Sequence, residues 1–172
     1  MAQNMSTAAK LSSAVALGGF MGVGKTTVGR LLAVELGLPF VDLDALLVER
    51  HGPIARQILD EGEAIFRDRE RRAIEDLVDG TDRVLATGGG AWVDPQNRVT
   101  LRRGYRLVVL DAPLAVLRAR LDATELAGRP LWDGAEERRR ARQPAYDDAD
   151  LKLDATRAPA LVVAEVVAWL KR

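Results

Sequence analysis

The chain predicts an α/β domain with a parallel sheet flanked by helices, and its pattern carries that prediction in three ways. Short apolar runs bounded by turn residues alternate with segments of helical period. A glycine-rich loop stands between the first apolar run and the first helical pattern. No repeat or low-complexity tract interrupts the alternation. At 172 residues the chain can bury a substantial core without disulfides or structural metals.

In order, strands are expected at 13–17, 39–42, 83–86, 105–110 and 151–153, giving a five-stranded sheet. Between the first two lies a helix over 25–36, where Val28, Leu31, Leu32 and Leu36 recur at helical spacing. Gly37 stands where a helix closes in the left-handed region, and Pro39 follows shortly. A second helix, about 62–78, carries Phe66, Ala73, Ile74 and Leu77 on one stripe. A third runs from Pro113 to about Arg120. Residues 123–134 hold glycines and a proline without a clear period, and read as a lid. A charged helix follows at 135–142, and another closes the chain at 159–170.

Composition excludes several classes. Lys plus Arg and Asp plus Glu balance at 25 each, which argues against a dedicated nucleic-acid binder. Only Lys10, Lys25, Lys152 and Lys171 are lysines, so nearly all positive charge is arginine, the residue suited to bidentate binding of carboxylate and phosphate. There is no cysteine, so disulfides and thiolate chemistry are out. No apolar run approaches the roughly 20 residues that span a bilayer. The stretch after Lys10 imitates a secretion signal but runs straight into Gly22, Gly24 and Lys25, which cleavage would destroy. The expectation is a cytoplasmic monomer without membrane or nucleic-acid partners, with a disordered tail at 1–10 and one domain over 11–172.

The strongest local signal is Gly19-Phe-Met-Gly-Val-Gly24-Lys25-Thr26, which matches G-x-x-x-x-G-K-[ST] between an apolar strand and an amphipathic helix. Glycines let successive N–H groups turn around phosphates, and the following helix dipole favours negative charge there. This makes Gly22, Val23, Gly24, Lys25, Thr26 and Thr27 the candidate triphosphate cradle. Lys25 reaches the β and γ phosphates, and the Thr26 hydroxyl is a candidate Mg²⁺ ligand.

A phosphate loop specifies a nucleotide and leaves the acceptor open. The loop with its trailing Val28-Gly29-Arg30 resembles that of shikimate kinases. So do Phe40-Val-Asp-Leu-Asp44, Gly62-Glu-Ala-Ile-Phe-Arg67, Thr87-Gly-Gly-Gly90, Gly128-Arg-Pro-Leu131 and Arg142-Gln-Pro-Ala-Tyr146, in order, from about Ala14 to the C-terminus. The resemblance implies a nucleoside-monophosphate-kinase-like fold with an acceptor-binding segment at about 44–78 and a lid at about 123–134. It implies ATP with Mg²⁺ as phosphoryl donor and the 3-hydroxyl of shikimate as acceptor, in chorismate and aromatic amino-acid synthesis.

The same resemblance assigns roles. Asp42 would hold Mg²⁺ through water, while Asp44 would grip the acceptor hydroxyls and orient the attacking one. Arg67 and Arg142 would clamp the acceptor carboxylate, and Gly88, Gly89 and Gly90 would allow close backbone approach. Arg129 in the lid would neutralise the transferring phosphoryl, with Lys25 and Asp44 completing the catalytic set. Arg120 and Arg157 resemble the pair that sandwiches adenine, although a plain surface role for Arg120 stays open. From the residues alone, Asp44 reads as the N-cap of the helix after it. Residues 67–72 read as a solvated arginine-rich face, and Arg138, Arg139 and Arg140 as partners of Glu136, Glu137 or water. Leu107-Val-Val-Leu-Asp111 imitates a metal-binding strand end, but Asp111-Ala-Pro113 reads as a helix start with Asp111 as cap. His51 reads as a cap or surface residue.

Overall fold

Alternation along β1 (Val15–Gly19) decides how the sheet is covered. Val15 and Leu17 enter one apolar cluster with Val28, Leu32, Val162 and Val166, whereas Ala14 and Ala16 enter another with Leu43, Phe66, Ile74 and Tyr146. A strand buried on both sides belongs at the middle of a parallel sheet. The computed structural model, which describes residues 13–121 and 134–172, places it there. The sheet order is β2 (Phe40–Asp42), β3 (Val84–Ala86), β1, β4 (Arg106–Asp111), β5 (Leu151–Asp154), and every pairing is parallel.

Strand β1 runs two residues beyond the expected end, because Gly18 and Gly19 pair in register with Val109 and Leu110 of β4. The chain lays β2 and β3 on one side of β1 and then crosses to lay β4 and β5 on the other, so the carboxyl end of β1 is a switch point where ligands of such sheets bind. One side is covered by α1 (Lys25–Leu36) and α8 (Pro159–Leu170), which pack on each other. Of the expected α1 stripe, Val28 and Leu32 are buried and Leu36 partly so. Leu31 is 44 % exposed, and Ala33 takes an inward position in the last turn of the helix, which Gly37 closes at φ 65°.

The other side carries α2 (Leu43–His51), α3 (Ile54–Glu61) and α4 (Glu63–Leu77). Phe66, Ala73, Ile74 and Leu77 are all buried, as the stripe requires. After β3 come a 3-10 turn (Ala91–Val93) and α5 (Pro95–Leu101), then β4 and α6 (Leu114–Arg120). Helix α5 is not among the expected helices, although Asp94 before Pro95 is its signal: the Asp94 carboxylate accepts from Gln96 N, and Pro95 fills the first turn. Helix α7 spans Ala135–Asp147, five residues past the expected end at 142, and passes through Pro144. A proline there removes one backbone hydrogen bond. Burial of Ala145 and Tyr146 just beyond it offsets the loss. The acidic run after Tyr146 is paired: Asp148 meets Arg98 of α5 at 3.0 Å, and Asp150 meets Arg102 at 2.5 Å.

Candidate active site

The phosphate loop takes its shape from glycine. Gly22 and Gly24 adopt φ 76° and 99°, a region that other residues seldom enter, and Gly24 opens α1 directly. Val23 faces the core, only 1 % exposed, and pins the loop from beneath. The Lys25 ammonium donates to the carbonyls of Gly19 at 2.9 Å and Phe20 at 3.1 Å, so it curls over the loop where phosphates would sit. Thr27 stands exposed beside Thr26 in the first turn.

Thr26 Oγ1 donates to Asp42 Oδ2 at 2.8 Å, joining the start of α1 to the carboxyl end of β2. The N-cap of α2 is Asp42 rather than Asp44: its Oδ1 accepts from Asp44 N at 3.1 Å and Ala45 N at 3.2 Å. Asp42 therefore caps with one oxygen and faces Thr26 with the other. Freed from capping, Asp44 turns its carboxylate toward the loop after β3. A hydroxyl and a carboxylate side by side suit a hard, oxygen-seeking cation such as Mg²⁺. Among the described residues no group of three His, Cys, Asp or Glu could hold a metal alone, so such an ion needs phosphate oxygens too.

The loop of three glycines after β3 organises the rest. A Cβ on Gly88 would stand 2.6 Å from Asp44 Oδ1, and one on Gly89 3.1 Å from Arg142 Nη1. On Gly90 it would stand 3.1 Å from Arg67 Nη2. Successive glycines thus bring a carboxylate and two guanidinium forks onto one short loop. Gly89 lines a cleft of about 290 Å³, whose wall also includes Gly22, Lys25, Thr26, Asp42 and Asp44. Arg67 and Arg142 are not part of that wall; they reach the same loop at Gly90 and Gly89.

Glu70 stands behind the Arg67 fork, and the expectation of a solvated face over 67–72 does not hold for it. It occupies the apolar stripe of α4, between Phe66 and Ile74, and is 1 % exposed. A charged residue in a buried stripe was the readable signal. Its Oε2 accepts from Arg67 Nη1 at 2.9 Å, while Glu63 Oε1 accepts from Arg67 Nη2 at 3.0 Å. Burial pushes the Glu70 carboxyl above its usual range, with Arg67 opposing the rise. Burial also works against the Arg67 cation, but Glu70 and Glu63 more than offset it and raise its pKa. The fork is held in place and fully charged.

Other expectations meet mixed outcomes. Arg120, at the end of α6, lines the cleft and donates to Ala155 O at 2.6 Å and Val23 O at 3.4 Å, linking the phosphate loop to the turn after β5. Arg157 lies off the cleft wall, paired with Glu165 of α8 at 2.5 Å. Arg129 and the lid at 123–134 lie outside the described residues, apart from Gly134. Asp111 is not the cap of α6: Pro113 holds that place, and Asp111 pairs with Arg139 at 2.8 Å and Lys152 at 3.5 Å. Arg139 thereby leaves the Glu136 and Glu137 partnership expected of it. His51 ends α2, exposed.

The sequence model of the shikimate kinase family matches residues 21–171. A curated relative, the shikimate kinase of Geobacter sulfurreducens, is 44 % identical over 165 residues, covering 91 % of this chain and 90 % of that one. The chain belongs to the shikimate kinase family. Its ATP-dependent kinase character follows from that membership. Among solved structures, the shikimate kinase of Acinetobacter baumannii in complex with shikimate superposes with a TM-score of 0.79 at 34 % identity. It covers 91 % of this chain and 90 % of that one. A gluconokinase of Sinorhizobium meliloti, with a TM-score of 0.69, 21 % identity and coverage of 94 % and 93 %, shares the fold alone. Asp44, Arg142 and Arg67 all approach the glycine loop, and Gly89 of that loop shares the cleft wall with the phosphate loop. No helix among the described residues is long and apolar enough to cross a membrane.

Proposed function

We propose that the chain transfers the γ-phosphoryl group of ATP to the 3-hydroxyl of shikimate, giving shikimate 3-phosphate and ADP. The observation that carries this reading is the convergence of Asp44, Arg142 and Arg67 on Gly88, Gly89 and Gly90, beside the phosphate loop. Two guanidinium forks match one carboxylate bidentately, and a carboxylate between them and the phosphates matches a ring hydroxyl. A compact hydroxylated acid satisfies that set, whereas a nucleotide acceptor would need a base-binding pocket.

In the reaction, Arg67 and Arg142 hold the acceptor carboxylate while Asp44 accepts a hydrogen bond from the attacking hydroxyl. The acceptor oxygen forms its bond to the γ-phosphorus as the bond to the β–γ bridging oxygen breaks. The hydroxyl proton passes toward Asp44. Positioning and charge neutralisation dominate such a transfer, and Lys25 supplies positive charge where the oxygens of the triphosphate gather. Thr26 and Asp42 would hold Mg²⁺, which when bound neutralises charge on the β and γ phosphates. Arg120 borders the adenine end. Arg157, two residues past Ala155, and Arg129 in the lid keep the roles their family positions suggest, at the adenine and at the transferring group.

The test is ADP release measured with shikimate, gluconate, AMP and CMP as acceptors. Shikimate alone should raise turnover above the background ATPase rate. Equal stimulation by gluconate or a nucleotide would sink the assignment. Arg67→Ala should raise the shikimate KM at least about tenfold, in line with loss of a charge-assisted pair, and leave the ATP KM within about twofold.

A further inference from the structure

Arg142 and Tyr146 stand four residues apart on α7, so their side chains leave the same face of the helix. Both finish at Gly89. Tyr146 Oη donates to Gly89 O at 2.7 Å, and Arg142 Nη1 lies 3.1 Å from the place a Cβ on Gly89 would take. The phenol is buried at 3 % exposure, and burial raises its pKa while neighbouring Arg142 opposes the rise. On its far side the Arg142 guanidinium stacks over the ring of Phe20, with 5.3 Å to the centroid.

The direction of the Gly89 carbonyl decides more than its own bond. A trans peptide is planar, so the Gly90 N–H points opposite to the Gly89 C=O. With that carbonyl held toward α7, the Gly90 N–H turns away from α7. Arg67 Nη2 lies 3.1 Å from the Cβ position on this same Gly90. Among the described residues nothing accepts from the Gly90 N–H. An anionic or hydroxyl oxygen on the acceptor would complete it.

We propose that Tyr146 is a positioning residue for the acceptor: its hydroxyl fixes the Gly88–Gly90 loop so that the Gly90 N–H and the Arg67 and Arg142 forks form one preset oxygen-binding surface. Tyr146 acts through Gly89 and Arg142 and exchanges no proton with the acceptor. The inference rests on the acceptor reading above and adds a residue to it.

Tyr146→Phe deletes the hydroxyl and keeps the ring that fills the core. Initial rates varied in shikimate and in ATP should show a shikimate KM raised about five- to twentyfold, as expected for one well-aligned hydrogen bond acting on the site. The ATP KM should stay within about twofold and the melting temperature within a few degrees, because packing is retained. A shikimate KM within twofold of the unaltered protein would overturn the proposal. So would equal rises in both KM values with a large drop in melting temperature, the mark of a merely structural tyrosine. In an Arg142→Lys background, Tyr146→Phe should lose more than half of its effect, since the two side chains serve one loop. Full additivity would also overturn the proposal. If the unaltered protein fails to turn over shikimate, the acceptor reading falls and this inference with it; if it succeeds and the variant matches it, only the positioning role falls.

Discussion

Single atoms decide whether the site exists. A methyl group on Gly88 would press into the Asp44 carboxylate at 2.6 Å and approach Glu70 Oε1 at 3.2 Å. Gly88→Ala should therefore lower kcat/KM for shikimate at least about a hundredfold, since displacing a reacting geometry by about 1 Å costs that much. Circular dichroism should still report a folded chain. A variant of near-normal activity would show that Asp44 does not depend on the loop. Glu70 acts one step further back, holding the Arg67 fork from a buried position. Glu70→Gln should raise the shikimate KM about tenfold, because a hydrogen bond to a charged group is worth about 1.5–3 kcal/mol. The pH dependence has a definite sign. The folded protein holds the Glu70 proton more tightly than the unfolded chain does, so this group favours the fold most below the ordinary carboxyl value of 4.5. That contribution is lost as pH rises through the elevated folded value. Denaturant unfolding at a series of pH values should show the unaltered protein losing stability relative to Glu70→Gln across that window and running parallel above it.

At the scale of elements, one residue serves two ends. Asp42 closes β2, caps α2 with Oδ1 and faces Thr26 with Oδ2. The two jobs separate by substitution. Asn is as good a cap as Asp, so Asp42→Asn should leave stability within a few tenths of a kcal/mol. Loss of the charge should nevertheless raise the Mg²⁺ concentration needed for half-maximal activity at least about tenfold. Asp42→Ala should lose both, with about 1 kcal/mol of stability gone as well. Equal Mg²⁺ curves for Asp42→Asn and the unaltered protein would remove Asp42 from the metal site. Helix α7 is similarly double in purpose. Arg139 ties it to the end of β4 through Asp111, and the next turn delivers Arg142 and Tyr146 to the glycine loop.

Across the whole molecule, the site is assembled from the two sides of the sheet switch point. The phosphate loop follows β1, Asp42 ends β2 and Asp44 comes just after it, the glycines follow β3, and Arg142 arrives from α7. A ligand that bridges these pieces binds the folded chain only, so it must stabilise the fold. With shikimate at about a hundred times its Kd, the gain is about 2.7 kcal/mol. For a chain of this size that is a rise of about 5–10 °C in melting temperature. Differential scanning fluorimetry reads it directly, and Arg67→Ala should abolish it at the same shikimate concentration. A rise that survives in Arg67→Ala would place shikimate elsewhere.

The sequence by itself determined the alternating α/β pattern, the phosphate loop, the α4 stripe and, through the order of its motifs, the family. Those are local properties: glycine geometry, hydrophobic period and cap chemistry act over a few neighbouring residues. Only tertiary structure decided that Asp42 rather than Asp44 caps α2, that Asp111 answers Arg139 and Lys152, and that Glu70 stands behind Arg67. It also decided that Tyr146 grips Gly89 from 57 residues away. A charged or polar side chain takes the partner that folding brings within about 3 Å, and that choice is made by packing between distant segments.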